Sequence, residues 1–115
     1  MGGVAEQLHV EVRQAPDRVI LALVGELDMA SAPLLQSALE EATKDAGSTL
    51  VLDLHELQFM DSTGLRIILW AGERCRIVGR QFALTPGASQ VQRLLAVSGV
   101  GERLRIIATP DEMLV

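Results

Sequence analysis

"LVLDLHELQFMDSTGLRIIL", residues 50–69, sets a dense apolar run, a polar cluster and a second apolar run side by side. Thr49 to Leu54 reads as a strand dense in apolar residues. After the cluster the apolar period changes. Leu65, Ile68 and Gly72, with Cys75 nearby, fall on one side of a helix expected from Ser62 to about Val78. Arg66, Trp70, Glu73 and Ile77 project to the other side. Strand, turn and helix in this order form one βα unit, the building block of a parallel sheet. Asp61, Ser62, Thr63 and Gly64 sit at its turn.

The flanking sequence extends this pattern. Met1 to Gln7 reads as a loose start. Leu8, Val10 and Val12 alternate with polar residues, the mark of a half-exposed strand over Leu8–Gln14. Ala15-Pro16-Asp17 is a turn signal. Val19 to Val24 is continuously apolar and suits a strand buried on both faces. These two strands are expected to pair as an antiparallel hairpin. Gly25-Glu26-Leu27-Asp28 is expected to end the second one. Ser31 is placed to cap a helix that has Pro33 in its first turn and Gly47 as its stop. Downstream come a short strand over Gln81–Thr85, a helix over Ser89–Val97 closed by Gly99, and a strand over Leu104–Ala108. Thr109-Pro110-Asp111-Glu112 has the form of a short final helix start. The expected fold is an α/β domain with a mixed sheet of about five strands: an opening antiparallel hairpin, then parallel strands joined by right-handed crossovers, with about four helices.

With 115 residues the chain suits one domain, and 49% hydrophobic residues supply an aliphatic core. A net charge of −5 suits neither the phosphate backbone of nucleic acid nor an anionic membrane surface. No apolar run reaches the roughly 18 residues of a membrane span. The start lacks a signal-peptide pattern, and a lone cysteine, Cys75, fits a reducing compartment. A cytoplasmic protein is expected, with Cys75 as a small core residue.

The polar turn admits several chemistries. A serine nucleophile needs a base and an oxyanion hole, and its usual α/β setting is Gly-x-Ser-x-Gly rather than Asp-Ser-Thr-Gly. The only histidines, His9 and His55, give no legible triad. Paired-carboxylate catalysis lacks its second acid in the motif. One cysteine and two distant histidines provide no metal-ligand spacing, and no glycine-rich nucleotide motif is present. The chain is therefore expected to be non-enzymatic, with no metal and no cofactor. Two readings of the turn remain and are compatible. Asp61 or Ser62 caps a helix while Gly64 allows a tight entry, or the cluster is a site of phosphorylation, since helix starts favour negative charge.

The stretch 50–69 resembles the bacterial anti-sigma-factor antagonists, whose domain is called STAS. Asp53, Phe59, Met60, Asp61, Ser62, Thr63, Gly64 and Leu65 match the family pattern in order. "VGELDMASAPLL", residues 24–35, resembles its second signature through Gly25, Glu26, Leu27, Asp28 and Ala32. The resemblance runs through "ALTPGASQVQRLLAVSGV" downstream and implies a single STAS domain over residues 1–115. Arg66 departs from the pattern, standing where many members have a second glycine. The resemblance implies an antagonist whose unphosphorylated form binds an anti-sigma factor that is also a serine kinase, freeing a sigma factor. Phosphorylation of Ser62, in the neighbourhood of Asp61, Thr63 and Gly64, releases it, and a metal-dependent serine phosphatase resets it. Asp28 is implied to contact the kinase. Arg66, Trp70 and Glu73 complete the expected partner surface, Trp70 as an apolar anchor of a kind enriched at interfaces. Alternative roles on the same fold are a non-catalytic STAS subunit of a transport complex or of a stress-signalling assembly.

Overall fold

Strand β1, His9–Ala15, turns at Pro16-Asp17 into β2, Arg18–Leu27, and the two pair antiparallel from Ala15↔Arg18 to His9↔Val24. The computed structural model describes residues 7–44 and 47–114, so the loose start expected over Met1–Gln7 lies outside the described residues except for Gln7, which is in neither strand nor helix. Helix α1, Ala32–Ala42, leads to β3, Thr49–Met60; helix α2, Ser62–Val78, leads to β4, Phe82–Leu84; helix α3, Ser89–Val97, and a 3-10 turn at Val100–Glu102 lead to β5, Arg105–Ile106. The five strands lie in the order β1-β2-β3-β4-β5, with every pair after the first parallel.

A sheet whose parallel strands follow in sequence, joined by crossovers of one hand, gathers its helices on one face. The larger core lies there. Leu21, Leu23, Leu50, Leu52, Leu54 and Leu84 from the strands meet Leu35 and Leu39 of α1, Leu65, Ile68, Ala71 and Cys75 of α2, and Val91 and Leu95 of α3. Cys75 is buried there, and burial pushes its thiol pKa up. The opposite face carries a smaller cluster of Ile20, Val51, Ala83 and Ile107, with Leu114 packed against it. On that face β2 is buried at Arg18 and Ile20, while Ala22 and Val24 are half-buried, so the expected burial of Val19–Val24 on both faces holds for part of the strand.

Strands β2 and β3 outrun their expected ends at Val24 and Leu54 by continuing to Leu27 and Met60. The register explains why. Between Ala22↔Asp53 and Val24↔Glu56, and again between Gly25↔Leu57 and Glu26↔Phe59, β3 advances one residue more than β2. Each extra residue is a bulge. The bulges bring Leu54, Leu57 and Met60, spaced by three instead of two, into the same core. Gly25 permits the parallel irregularity in β2, with φ of +108° and the carbonyl oxygen of Gln7 only 2.4 Å from where a Cβ would stand.

Three further expectations are corrected. Helix α1 ends at Ala42, before Gly47, because the Thr43 hydroxyl donates to the Leu39 carbonyl at 2.7 Å and the Arg80 guanidinium donates to the Ala42 carbonyl. Ser31 occupies the N-cap position of α1 without capping it, its hydroxyl being engaged with Asp28 and the Glu26 carbonyl. Thr109–Glu112 forms a turn and not a helix, so three α-helices stand among the described residues where about four were expected. Arg18 takes the carbonyls of Pro110 and Glu112 at 3.0 and 2.8 Å, which holds this segment against the sheet. Glu112 turns its carboxylate back to the Ala108 amide at 2.7 Å.

Gly25→Ala is expected to lower stability by about 2 kcal/mol or more, through positive φ and the collision with the Gln7 carbonyl. Gly79→Ala, also at positive φ but in open space, should cost only about 1–2 kcal/mol. Urea unfolding of both variants tests this; equal losses would remove the close approach at Gly25 from the account.

Candidate functional site

Helix α2 starts one residue after β3 ends, and the backbone at that junction is tied from several sides. The Asp61 amide donates to the Leu27 carbonyl at 3.1 Å, extending the β2–β3 ladder by one bond. The Gln90 side chain grips Met60 on both sides, accepting from its amide and donating to its carbonyl, each at 2.9 Å. Asp61 is the N-cap, its Oδ1 accepting from the Gly64 amide at 3.1 Å. A helix start leaves its first amides without internal partners, and this bond satisfies one of them. Of the two capping candidates, Asp61 and Ser62, the structure selects Asp61. Gly64 is buried, and a Cβ there would lie 2.7 Å from Leu27 and 2.9 Å from Met60.

Ser62 is the first residue of α2. It is exposed, and its hydroxyl makes no hydrogen bond among the described residues. Thr63 is half-buried and turns toward α1. Together with Arg66, Ile67 and Trp70 of α2 it lines a groove of about 510 Å³ whose other wall is Met29, Ala32, Pro33 and Gln36. Trp70 is half-buried, packed in part on the core and in part open to this groove. Met29 is 74% exposed, a large apolar side chain left uncovered at the groove's edge.

The expected partner residues fall into three places. Arg66 and Trp70 share the α1–α2 groove with Thr63. Asp28 follows Leu27 at the same sheet edge as Asp61. Its Oδ1 accepts from the Ser31 amide at 3.0 Å and the Ser31 hydroxyl at 3.1 Å, while Ser31 Oγ accepts from the Asp28 amide at 3.0 Å. This interlock shapes the loop that feeds α1. Glu73 lies apart, on a separate groove with Gly72, Arg76, Phe82, Leu104 and Arg103. Hydrogen bonding from Arg76 holds the Glu73 carboxyl below its ordinary pKa. The structure thus does not bring Glu73 into the groove with Arg66 and Trp70.

The sequence reading reaches the α2 wall of the groove and misses the α1 wall. A signal for it is present: Met29, Pro33 and Gln36 repeat at helical spacing, as do Thr63, Arg66 or Ile67, and Trp70. Gln90 escapes that reading because nothing local marks a side chain that binds a strand end 30 residues away. Asp53 accepts from the Thr85 hydroxyl at 2.8 Å and contacts His55 Nδ1 at 2.9 Å, while Thr85 Oγ1 accepts from the Leu54 amide. Neither histidine hydrogen-bonds the Ser62 hydroxyl. Among the described residues no three His, Cys, Asp or Glu side chains converge as metal ligands. No helix of the described residues is long and apolar enough to cross a membrane.

Known proteins share this fold. A family model described as the STAS domain matches residues 9–113. An anti-sigma F factor antagonist of Paenibacillus polymyxa is 33% identical over 94 residues, 81% of this chain and 80% of that one. The crystal structure of an anti-sigma factor antagonist from Mycobacterium paratuberculosis superposes with a TM-score of 0.84 at 24% identity, over 91% of this chain and 89% of that one. The Bacillus cell fate determinant SpoIIAA in its phosphorylated form superposes with a TM-score of 0.68 at 20% identity, covering 86% of this chain and 91% of that one. With its mixed sheet, its Asp61-capped helix and a family match spanning nearly every described residue, the chain belongs to the STAS-domain family.

Proposed function

We propose that the chain is an anti-sigma-factor antagonist acting as a partner switch in the cytoplasm. Unphosphorylated, it binds an anti-sigma serine kinase and so frees a sigma factor. The kinase transfers the γ-phosphoryl of ATP to Ser62 Oγ, the hydroxyl proton leaves, ADP departs, and the complex separates. A serine phosphatase restores the free hydroxyl. The chain is a substrate and a ligand in this cycle and catalyses no step of it. The observation that carries the reading is the exposed, unbonded Ser62 hydroxyl, one residue from the apolar groove lined by Thr63, Arg66 and Trp70. The antagonist names borne by its relatives support it.

The energetics suit a switch. A phosphate adds about −1.5 to −2 charge at neutral pH. In the free protein that charge stands in water at the positive end of α2, where it is tolerated or favoured. In a complex it meets a desolvated surface, where an unpaired or like charge costs several kcal/mol. Each 1.4 kcal/mol is about tenfold in affinity, so a few suffice to exchange partners.

Incubation with candidate anti-sigma kinases and ATP, followed by intact mass and peptide mapping, tests the assignment. One phosphate on Ser62 is expected, and none on Ser62→Ala. Phosphate on Thr63 that persists in Ser62→Ala would sink it.

Ser62→Asp should weaken kinase binding at least about tenfold and leave the melting temperature nearly unchanged, because the Ser62 hydroxyl contributes no hydrogen bond to the fold. Calorimetric melting and binding titration of one preparation decide this. A large drop in melting temperature would mean that the substitution acts through the fold.

Trp70→Ala should reduce kinase affinity by about 1–3 kcal/mol. Its cost in stability should stay below the roughly 3–5 kcal/mol of a fully buried aromatic, since Trp70 is only half-buried. Paired denaturation and binding titrations separate the two. Collapse of stability with normal binding by the folded fraction would return Trp70 to the core and leave the groove without its anchor.

A further inference from the structure

Arg66 is a cation without a counter-ion among the described residues. Arg13 pairs with Asp111, Arg18 with Asp17 and Arg76 with Glu73. Arg66 is exposed and makes no ion pair or hydrogen bond among the described residues. It stands four residues after Ser62 on α2. Residues so spaced are neighbours on a helix surface, and an acid N-terminal to a base at this spacing is the favoured orientation. Helical side chains also lean toward the helix N-terminus, so Arg66 covers the turn that begins at Ser62. No other lysine or arginine lies within a turn of Ser62 on this helix.

We propose that Arg66 is the built-in counter-ion of phosphorylated Ser62, a role that rests on Ser62 being the modified residue. The guanidinium presents paired donors that match phosphate oxygens. Before modification Arg66 lines the α1–α2 groove beside Trp70 and Gln36. After modification it turns back one helical turn and is held by the phosphate. Phosphorylation then changes the docking surface twice. It adds negative charge at the groove's end, and it withdraws the one cation that lines that groove among the described residues. A partner with an acidic residue placed against Arg66 loses that contact as the phosphate arrives. A chain with glycine at this position would have only the first effect.

The test uses phosphoserine installed at position 62 during translation, so no kinase is involved. The phosphate is titrated by phosphorus NMR in the otherwise unaltered chain, in Arg66→Gln and in Arg66→Lys. A paired cation favours the doubly charged phosphate, so its second pKa, near 6 in a free phosphoserine, should lie lower in the unaltered chain than in Arg66→Gln by about 0.3 unit or more. Arg66→Lys should keep more than half of that shift, because the charge remains. Melting curves of the unphosphorylated variants check that each is folded, which the exposure of Arg66 favours. Equal phosphate pKa values in the unaltered chain and in Arg66→Gln, to within about 0.1 unit, would overturn the pairing. A clear shift in a chain that no kinase modifies would support the pairing while removing the proposed function, so the two fail separately.

Discussion

The structure turns on the contact of Gly64 with Leu27 and Met60. Strands β2 and β3 end side by side, Leu27 opposite Met60, and both side chains are wholly buried. Helix α2 must begin within one residue of that point and drop its first turn onto them. A side chain at position 64 would collide with both, at 2.7 and 2.9 Å. With only a hydrogen there, the helix settles onto the core, the Gly64 amide reaches the Asp61 carboxylate, and Leu65 and Ile68 fall into the larger cluster. The backbone of Ser62 is thus fixed from both sides while its side chain stays in water. A rigid backbone under an unbonded hydroxyl presents that group to another protein with little further ordering to be done on binding.

The other wall of the groove is positioned as firmly. The mutual bonds of Asp28 and Ser31 set the angle at which the chain leaves β2, and Thr43 and Arg80 close α1 at its far end. Arg80 follows the C-terminal end of α2, so one buried guanidinium ties the end of α1 to the end of α2 and to the Ser48 carbonyl. The two helices therefore hold the groove open as a preformed surface. Met29 remains 74% exposed at its edge, as apolar surface awaiting a neighbour would be.

Much of this is legible in the chain because α/β order is written in periodicity. The bounds of α2, Ser62–Val78, follow from its apolar period, and those of α3, Ser89–Val97, from its period and from Gly99, with no tertiary information needed. Periodicity cuts β3 short at Leu54 because its remaining buried residues, Leu57 and Met60, recur at intervals of three, and only the two bulges make that a strand spacing. It overreads the final segment as a helix because Thr109 and Glu112 satisfy a local rule that Arg18, far upstream, overrides by taking the local carbonyls. In the candidate site the same division holds. Asp61, Ser62, Gly64, Arg66 and Trp70 are neighbours in sequence and emerge together. Met29, Gln36 and Gln90 join them only through the packing of α1 against α2 and the return of α3 to β3. Glu73 is misplaced by the sequence because helical period alone does not say which of two flanking grooves a residue enters.

In the proposed switch, burial favours one of two adjacent hydroxyls that chemistry leaves open. Ser62 and Thr63 carry the same reactive group. Thr63 is half-buried in the wall of the groove among Ile67, Trp70 and Met29. A dianion there would lose hydration in the free protein as well as in any complex, so its cost would fall on the fold. Ser62 points to water, and a dianion there loses hydration only when a partner arrives. A switch requires that difference, because modification must change the affinity of the complex while the free domain survives to be used again. Of the two positions only Ser62 separates the cost of binding from the cost of folding. The residue that creates the separation is Gly64, which sets the first turn of α2 so that one hydroxyl faces out and the next faces α1.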